Sequence, residues 1–138
     1  FYLQLGAKSI IDAINKIEKG QEKFQEQNHS KATYAKKILK AEGKIDWKES
    51  AKKVLAKING LNPNPGSWFE YNEERYKVWK AQIVNEKGSP GEILDNKLTI
   101  ACNEKSIRIL EIQKEGKEKQ LVDQFLLGNN IKQGESIT

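Results

Sequence analysis

At Pro65-Gly66 the spacing of apolar residues changes period, and no single uniform architecture accommodates both halves. Upstream, Ala51, Val54, Leu55 and Ile58 recur at i, i+3, i+4 and i+7, which is one face of a helix. Lys48, Lys52, Lys53 and Lys57 fill the remaining faces, so one side of that helix is basic. Ser50 or Asp46 is a candidate cap for its start, and Gly60 with Pro63 ends it. Downstream the pattern is that of strands. Ser67 to Tyr71 and Arg75 to Val84 flank a short turn at Asn72-Glu73-Glu74, which predicts a hairpin. Gly88-Ser-Pro-Gly91 marks a second turn. Glu92 to Leu94, Lys97 to Cys102 and Ser106 to Gln113 supply three more strands. Leu98, Ile100 and Cys102 alternate with Thr99 and Ala101 and are expected to share one buried face. Ile107 and Ile109 lose phase with Ile112 around Leu110, as a bulge requires. Five short strands with phase breaks predict a small OB-like β-barrel, followed by a short helix over Leu121 to Leu127.

The first third of the chain is different in kind. From Leu5 to Ile17 the residues Ile10, Ile14 and Ile17 lie at helical spacing, with Ala13 and Leu3 widening the stripe, and Gly20 stops the helix. Gln21 to Thr33 is almost wholly polar, has no periodicity, and reads as a linker holding the only histidine, His29. The expected fold class is therefore mainly β with helices: a small OB-like barrel preceded by a basic linker and an amphipathic helix. The expected boundaries are 1–20, 21–44 and 45–138. The chain begins with Phe1 and contains no methionine, so it is expected to be a piece of something longer.

The net charge of +5 is not spread evenly. Residues 1–22 balance three lysines against three acids, residues 23–60 carry ten lysines against four acids, and residues 61–138 carry eleven cations against twelve acids. The excess belongs to one middle segment, which suits a polyanion such as nucleic acid; a solvated lysine-rich helix and linker is the plain alternative. No apolar run approaches the roughly 20 residues of a membrane helix. The first ten residues also lack the charged start and cleavage site of a signal peptide. One cysteine builds no disulfide framework, which fits a cytoplasmic location.

Catalytic chemistry has little to work with. One Cys and one His make no metal-ligand cluster, and the glycines form no phosphate-cradling motif. His29 sits in a polar linker, and Cys102 in an alternating strand is expected to be buried and inert. No catalytic residue and no cofactor is assigned to this chain.

Read in order, several segments resemble the methionyl-tRNA formyltransferase family. They are Ala32-Thr-Tyr-Ala-Lys-Lys-Ile38 with Lys40, Lys44-Ile-Asp-Trp47, Ile58 with Leu61-Asn-Pro63, and Pro65-Gly66. Lys77-Val-Trp-Lys-Ala81, Pro90-Gly-Glu-Ile-Leu94, Gly116-Lys117, and Phe125-Leu-Leu-Gly128 with Ile131 follow. Each is weak alone, and their order and spacing over about a hundred residues carry the match. Leu5-Gly-Ala7 and the isoleucine stripe are similar to the last helix of the family's catalytic domain.

The resemblance implies an enzyme that formylates methionyl initiator tRNA from 10-formyltetrahydrofolate, with the chemistry in a Rossmann-like N-terminal domain absent from this sequence. It also implies tRNA contacts in the linker and C-terminal domain. Lys37 and Lys40 match basic linker positions, Lys44 a usual Arg or Lys, and Lys117 the first Lys of a Gly-Lys-Lys turn. Lys36, and Lys48 and Lys52 from the helix's basic side, complete the nucleic-acid-binding set. Asn59, Glu118 and Gln120 depart from the usual Arg, Lys and Met, which shifts the expected contacts toward the linker and helix. Sugar formyltransferases, whose C-terminal domain is similar, are the first alternative. A free-standing nucleic-acid-binding barrel is the second, and it leaves the stripe of Ile10, Ile14 and Ile17 without a use except self-association.

Overall fold

The computed structural model describes residues 2–137; Phe1 and Thr138, at the ends of the first and last expected segments, lie outside the described residues. The chain divides into two compact units, residues 1–36 and 37–138.

In the first unit, helix α1 spans Tyr2–Glu18. It ends in a Schellman turn: Gly20, at φ +63°, donates to the Ile17 carbonyl, and Gln21 N donates to the Lys16 carbonyl. Ile10, Ile14 and Ile17 are 62%, 51% and 58% exposed. The polar stretch beyond contains one short 3-10 turn, His29–Lys31, capped by the Asn28 side chain.

In the second unit, a 3-10 turn at Lys40–Gly43 precedes helix α2, Ala51–Leu61. Ser50 is the cap, accepting from Lys53 N, and Ala51, Val54 and Ile58 are buried as their spacing predicts. Strands β1 (Ser67–Tyr71) and β2 (Glu74–Val84) form the expected hairpin, closed by Asn72 and Glu73 with φ of 51° and 63°. A two-residue turn with both φ positive matches the right-handed twist of its strands. Strands β3 (Thr99–Ala101), β4 (Ser106–Lys114) and β5 (Gln120–Leu121) and helix α3 (Val122–Gly128) complete the unit.

The sheet of the expected OB-like barrel, read as closed or nearly closed, does not close. The antiparallel sheet runs β1-β2-β4-β3, with β5 also on β4, and stays open at β1 and β3. Each edge is instead met by an irregular segment. Lys44 bridges Trp68 beside β1, where Ile45 N donates to the Trp68 carbonyl at 2.8 Å. Residues 91–94 run along β3, with Leu94 N donating to Thr99 O and Ala101 N to Glu92 O. The strand expected at Glu92–Leu94 is therefore reduced to isolated bridges, Glu92 to Ser136 and Ile93 to Ile100.

Two further expectations change. Leu98, Ile100 and Cys102 are buried, but so are Thr99 and Ala101: the Thr99 hydroxyl is held between Asp95 and Arg108, and the Ala101 methyl lies beside Gly88. That strand also starts later than its pattern suggests, since Leu98 has a left-handed φ of 57°. The phase break at Leu110 is present and has a counterpart. The register passes from Val78↔Ile112 to Lys80↔Glu111 and then to Ala81↔Ile109, leaving Trp79 and Leu110 each as an extra residue.

An aromatic chain threads the core. Trp47 meets Phe69 edge-on at 6.0 Å, Phe69 stacks on Tyr76 at 5.5 Å, and Tyr76 meets Phe125 edge-on at 5.6 Å. It ties the segment before α2 to β1, β2 and α3, in geometries that add to burial itself.

Candidate nucleic-acid interface

The pleat of β2 turns Tyr76 and Val78 into the core and leaves Arg75, Lys77 and Trp79 on the opposite face. Register places Trp68 of β1 beside Lys77, and Lys77 beside Gln113 of β4. One outer sheet face thus carries two tryptophans among cations. The Arg75 guanidinium lies 3.9 Å from the Trp68 ring centre and Lys44 Nζ lies 5.6 Å from it. Around Trp79, Lys77 Nζ is at 4.1 Å and Lys119 Nζ at 5.3 Å. Such contacts hold long basic side chains against a wall instead of leaving them to sweep through solvent.

Contacts to the backbone bring Lys40 and Lys44 here. Trp68 Nε1 donates to the Lys40 carbonyl at 3.0 Å, and the bridge at Lys44 continues the contact. Lys57 of α2 donates to the Lys44 carbonyl at 3.3 Å. Two glycines permit the close approach: a Cβ on Gly43 would run into the Gly66 carbonyl oxygen, and a Cβ on Gly66 would strike the Lys77 side chain.

A cleft of ≈ 240 Å³ opens on this face, lined by Lys40, Pro65, Trp68, Arg75, Lys77, Gln113, Glu115 and Gly116. Its walls are pinned. Lys77 Nζ donates to Pro63 O at 2.6 Å, Gln113 accepts from Trp79 Nε1 at 2.8 Å, and Gln113 Nε2 donates to Lys117 O at 2.8 Å. Burial lowers the Lys77 ammonium from the ordinary lysine value. Glu70 faces Lys44 at 3.1 Å and Arg75 at 3.5 Å. The hydrogen bond from Lys44, helped by Arg75, holds its carboxyl below the usual range despite some desolvation.

The seven lysines assigned from the sequence are all exposed, and those of the second unit do not all lie at this cleft. Lys40 lines the cleft, Lys44 flanks Trp68, and Lys117 follows Gly116 at the opposite wall. Lys37 opens the second unit, whereas Lys36 closes the first. Lys48 borders a different, more apolar cleft with Ile45, Trp47, Pro90 and Ile137, and Lys52 lies near Ser50 and Glu104. Arg75, Lys77 and Lys119 were not in the set. The signal for Arg75 and Lys77 was the alternation Arg75-x-Lys77-x-Trp79, which puts two cations and an aromatic on one face; Lys119 had none.

His29 is exposed, and Cys102 is buried, with burial pushing its thiol up to about 11. Among the described residues no cluster of His, Cys, Asp or Glu is fit to hold a metal ion, and no helix is long and apolar enough to cross a membrane.

Comparison with known proteins places this geometry. The family described as "Formyl transferase, C-terminal domain" matches residues 37–130. The chain is 44% identical to a methionyl-tRNA formyltransferase of Pelagibacter ubique, over 97% of this chain and 44% of that protein. It is 40% identical to one from Bradyrhizobium diazoefficiens, over 98% of this chain and 45% of that protein. It therefore spans less than half the length of these relatives. Among solved structures, HypX from Aquifex aeolicus in complex with tetrahydrofolic acid shares the fold. Its TM-score is 0.68 at 19% identity, over 95% of this chain and 26% of that one. The family model covers more than half of the chain, and the chain belongs to the formyl transferase C-terminal domain family.

Proposed function

We propose that this chain is the C-terminal, tRNA-contacting part of a methionyl-tRNA formyltransferase. The whole enzyme would transfer a formyl group from 10-formyltetrahydrofolate to the amino group of methionyl initiator tRNA during translation initiation in the cytoplasm. The observation that carries this reading is the 44% identity to such an enzyme across 97% of the chain. The cation-lined sheet face supports it from the physical side. In this reading residues 1–20 are the last helix of a Rossmann-like catalytic domain, residues 21–44 are the linker, and residues 45–138 are an OB-like domain whose sheet stops short of closure.

The chain's own task is to hold and orient tRNA. Lys37, Lys40 and Lys44 neutralise backbone phosphates, Lys117 does so from the far wall, and Lys36, Lys48 and Lys52 extend the contact. Lysine is a mobile point charge, suited to positioning a phosphate backbone more than to reading bases. Formyl transfer itself needs the catalytic domain, so the 138-residue chain alone is expected to show no turnover above background.

A salt titration of initiator tRNA binding tests the reading. Each phosphate contact adds roughly 0.7–0.9 to the slope of log affinity against log salt. Changing Lys37, Lys40 and Lys44 together to Glu is expected to weaken binding and flatten the slope. A slope equal to that of the unaltered chain would reject the assignment.

A further inference from the structure

The cleft beside Trp68 has a shape that a duplex cannot use. A stacked helix presents phosphates on its outside and keeps the flat faces of its bases within, so an aromatic-walled concavity meets nothing complementary there. An unstacked base does fill such a cleft, and proteins commonly hold one between aromatic rings and Arg guanidinium planes. The volume of ≈ 240 Å³ lies below the range of about 300–1,000 Å³ typical of pockets for drug-sized ligands, which limits the occupant to about one base.

The charges around it supply the rest of a nucleotide site. Lys40, Arg75 and Lys77 line the cleft and Lys44 flanks the same indole, against Glu115 in the wall and Glu70 paired with Lys44 and Arg75. Arg75 is already set for stacking on Trp68, and its Nε is buried without a hydrogen-bond partner among the described residues. Buried donors of this kind normally have an acceptor. Glu70 meanwhile bridges Lys44 and Arg75 across an exposed contact, where an ion pair contributes little and a phosphate can replace the carboxylate.

We propose that the Trp68 cleft is a subsite for one unpaired nucleotide of the bound RNA. The base lies among Pro65, Trp68 and Lys77, and its phosphate takes the place of Glu70 between Lys44 and Arg75. The inference rests on the tRNA reading above and makes it more specific: one contact in the complex is to an unstacked residue. Glu70 is then a built-in competitor, keeping the two cations apart and oriented until the phosphate arrives.

The test uses the 138-residue chain with three probes: initiator tRNA, a short single-stranded oligoribonucleotide and a blunt RNA duplex. Heteronuclear NMR of the indole N–H groups reports on Trp68 directly, with Trp68→Leu identifying its resonance. The single strand is expected to shift the Trp68 signal. Trp68→Leu should weaken single-strand binding about tenfold, as loss of one stacking contact does, while changing duplex binding less than about twofold. Glu70→Gln is expected to tighten single-strand binding and needs no loss of packing, which guards against a Trp68→Leu chain that folds poorly. Single strand and duplex binding alike, with no Trp68 shift and no effect of Glu70→Gln, overturns the subsite. If initiator tRNA still binds with a slope that depends on the lysines, the functional reading survives that result. Single-strand binding at Trp68 without any tRNA binding does the reverse: it upholds the nucleotide site and removes the tRNA assignment.

Discussion

Gly43 lies so close to Trp68 that a Cβ on it would sit 3.2 Å from the indole Cδ1 and Nε1, besides meeting the Gly66 carbonyl oxygen. The contact seats the Lys40–Gly43 turn against β1 and allows the Trp68 hydrogen bond to Lys40. Gly43→Ala is expected to cost about 1–3 kcal/mol, because backbone on one side and a ring on the other leave little room to relax. The control is Gly60→Ala in α2, where an added Cβ meets nothing within 4 Å. That change should stabilise the chain by about 0.5–1 kcal/mol. Urea unfolding of both variants reads the contrast, and equal midpoints would contradict it.

Asp95 supplies a pH prediction. Burial alone would raise its pKa, but the Thr99 hydroxyl, the backbone N–H groups of Lys97 and Thr99, and the Arg108 charge outweigh burial and hold it below the ordinary value. The unfolded carboxyl, at about 3.9, binds its proton first as pH falls. The contribution is therefore fully present above that value and is lost as pH drops through the lower folded pKa. Asp95→Asn should cost about 2 kcal/mol near neutrality, as loss of charge-assisted hydrogen bonds does. The deficit should shrink on acidification below pH ~4. Denaturation curves across that range would show a constant deficit if Asp95 were not responsible.

Cys102 should be silent toward thiol reagents in the folded chain. It is 3% exposed, and a thiol pushed up to about 11 leaves scarcely any thiolate near neutral pH. Labelling is expected to follow the rate of opening, accelerating in step with added denaturant. Immediate modification of the native chain would place Cys102 outside the core.

The α1 stripe should matter for association more than for stability. Ile10, Ile14 and Ile17 remain more than half exposed, whereas full burial of such a side chain is worth about 1.5–3 kcal/mol. Changing all three to Ser is expected to leave the main melting transition within a degree or two, on the order of what surface substitutions produce. Sedimentation should show any self-association reduced. A fall of many degrees would mean that the stripe belongs to a folded core.

Local pattern was enough for α2, the β1–β2 hairpin and the burial of Leu98, Ile100 and Cys102. A helix stripe, a two-residue turn and an alternating strand are each encoded within a few neighbouring residues, where periodicity and capping act directly. The phase break at Leu110 was legible for the same reason. Its counterpart at Trp79 was not, since an extra residue on one strand shows only against the register of its partner. Closure failed as an expectation because it depends on what meets the two edges. Residues 44–45 and 91–94 do so: the first carries no strand pattern, and the second, expected as a strand, is held only by isolated bridges.

The interface divides in the same way. The sequence by itself determined that a lysine excess lies between residues 23 and 60. Only the tertiary structure decided which lysines lie together. Lys44 is paired with Glu70, 26 residues away, and Lys40 is drawn to Trp68 through its carbonyl, while Lys48 and Lys52 point their charge elsewhere. Arg75 and Lys77 join them through strand register. Charge is a property of composition, but a binding site is a property of distance, and these distances are set by the sheet pairing and by two glycines that let the linker lie against it.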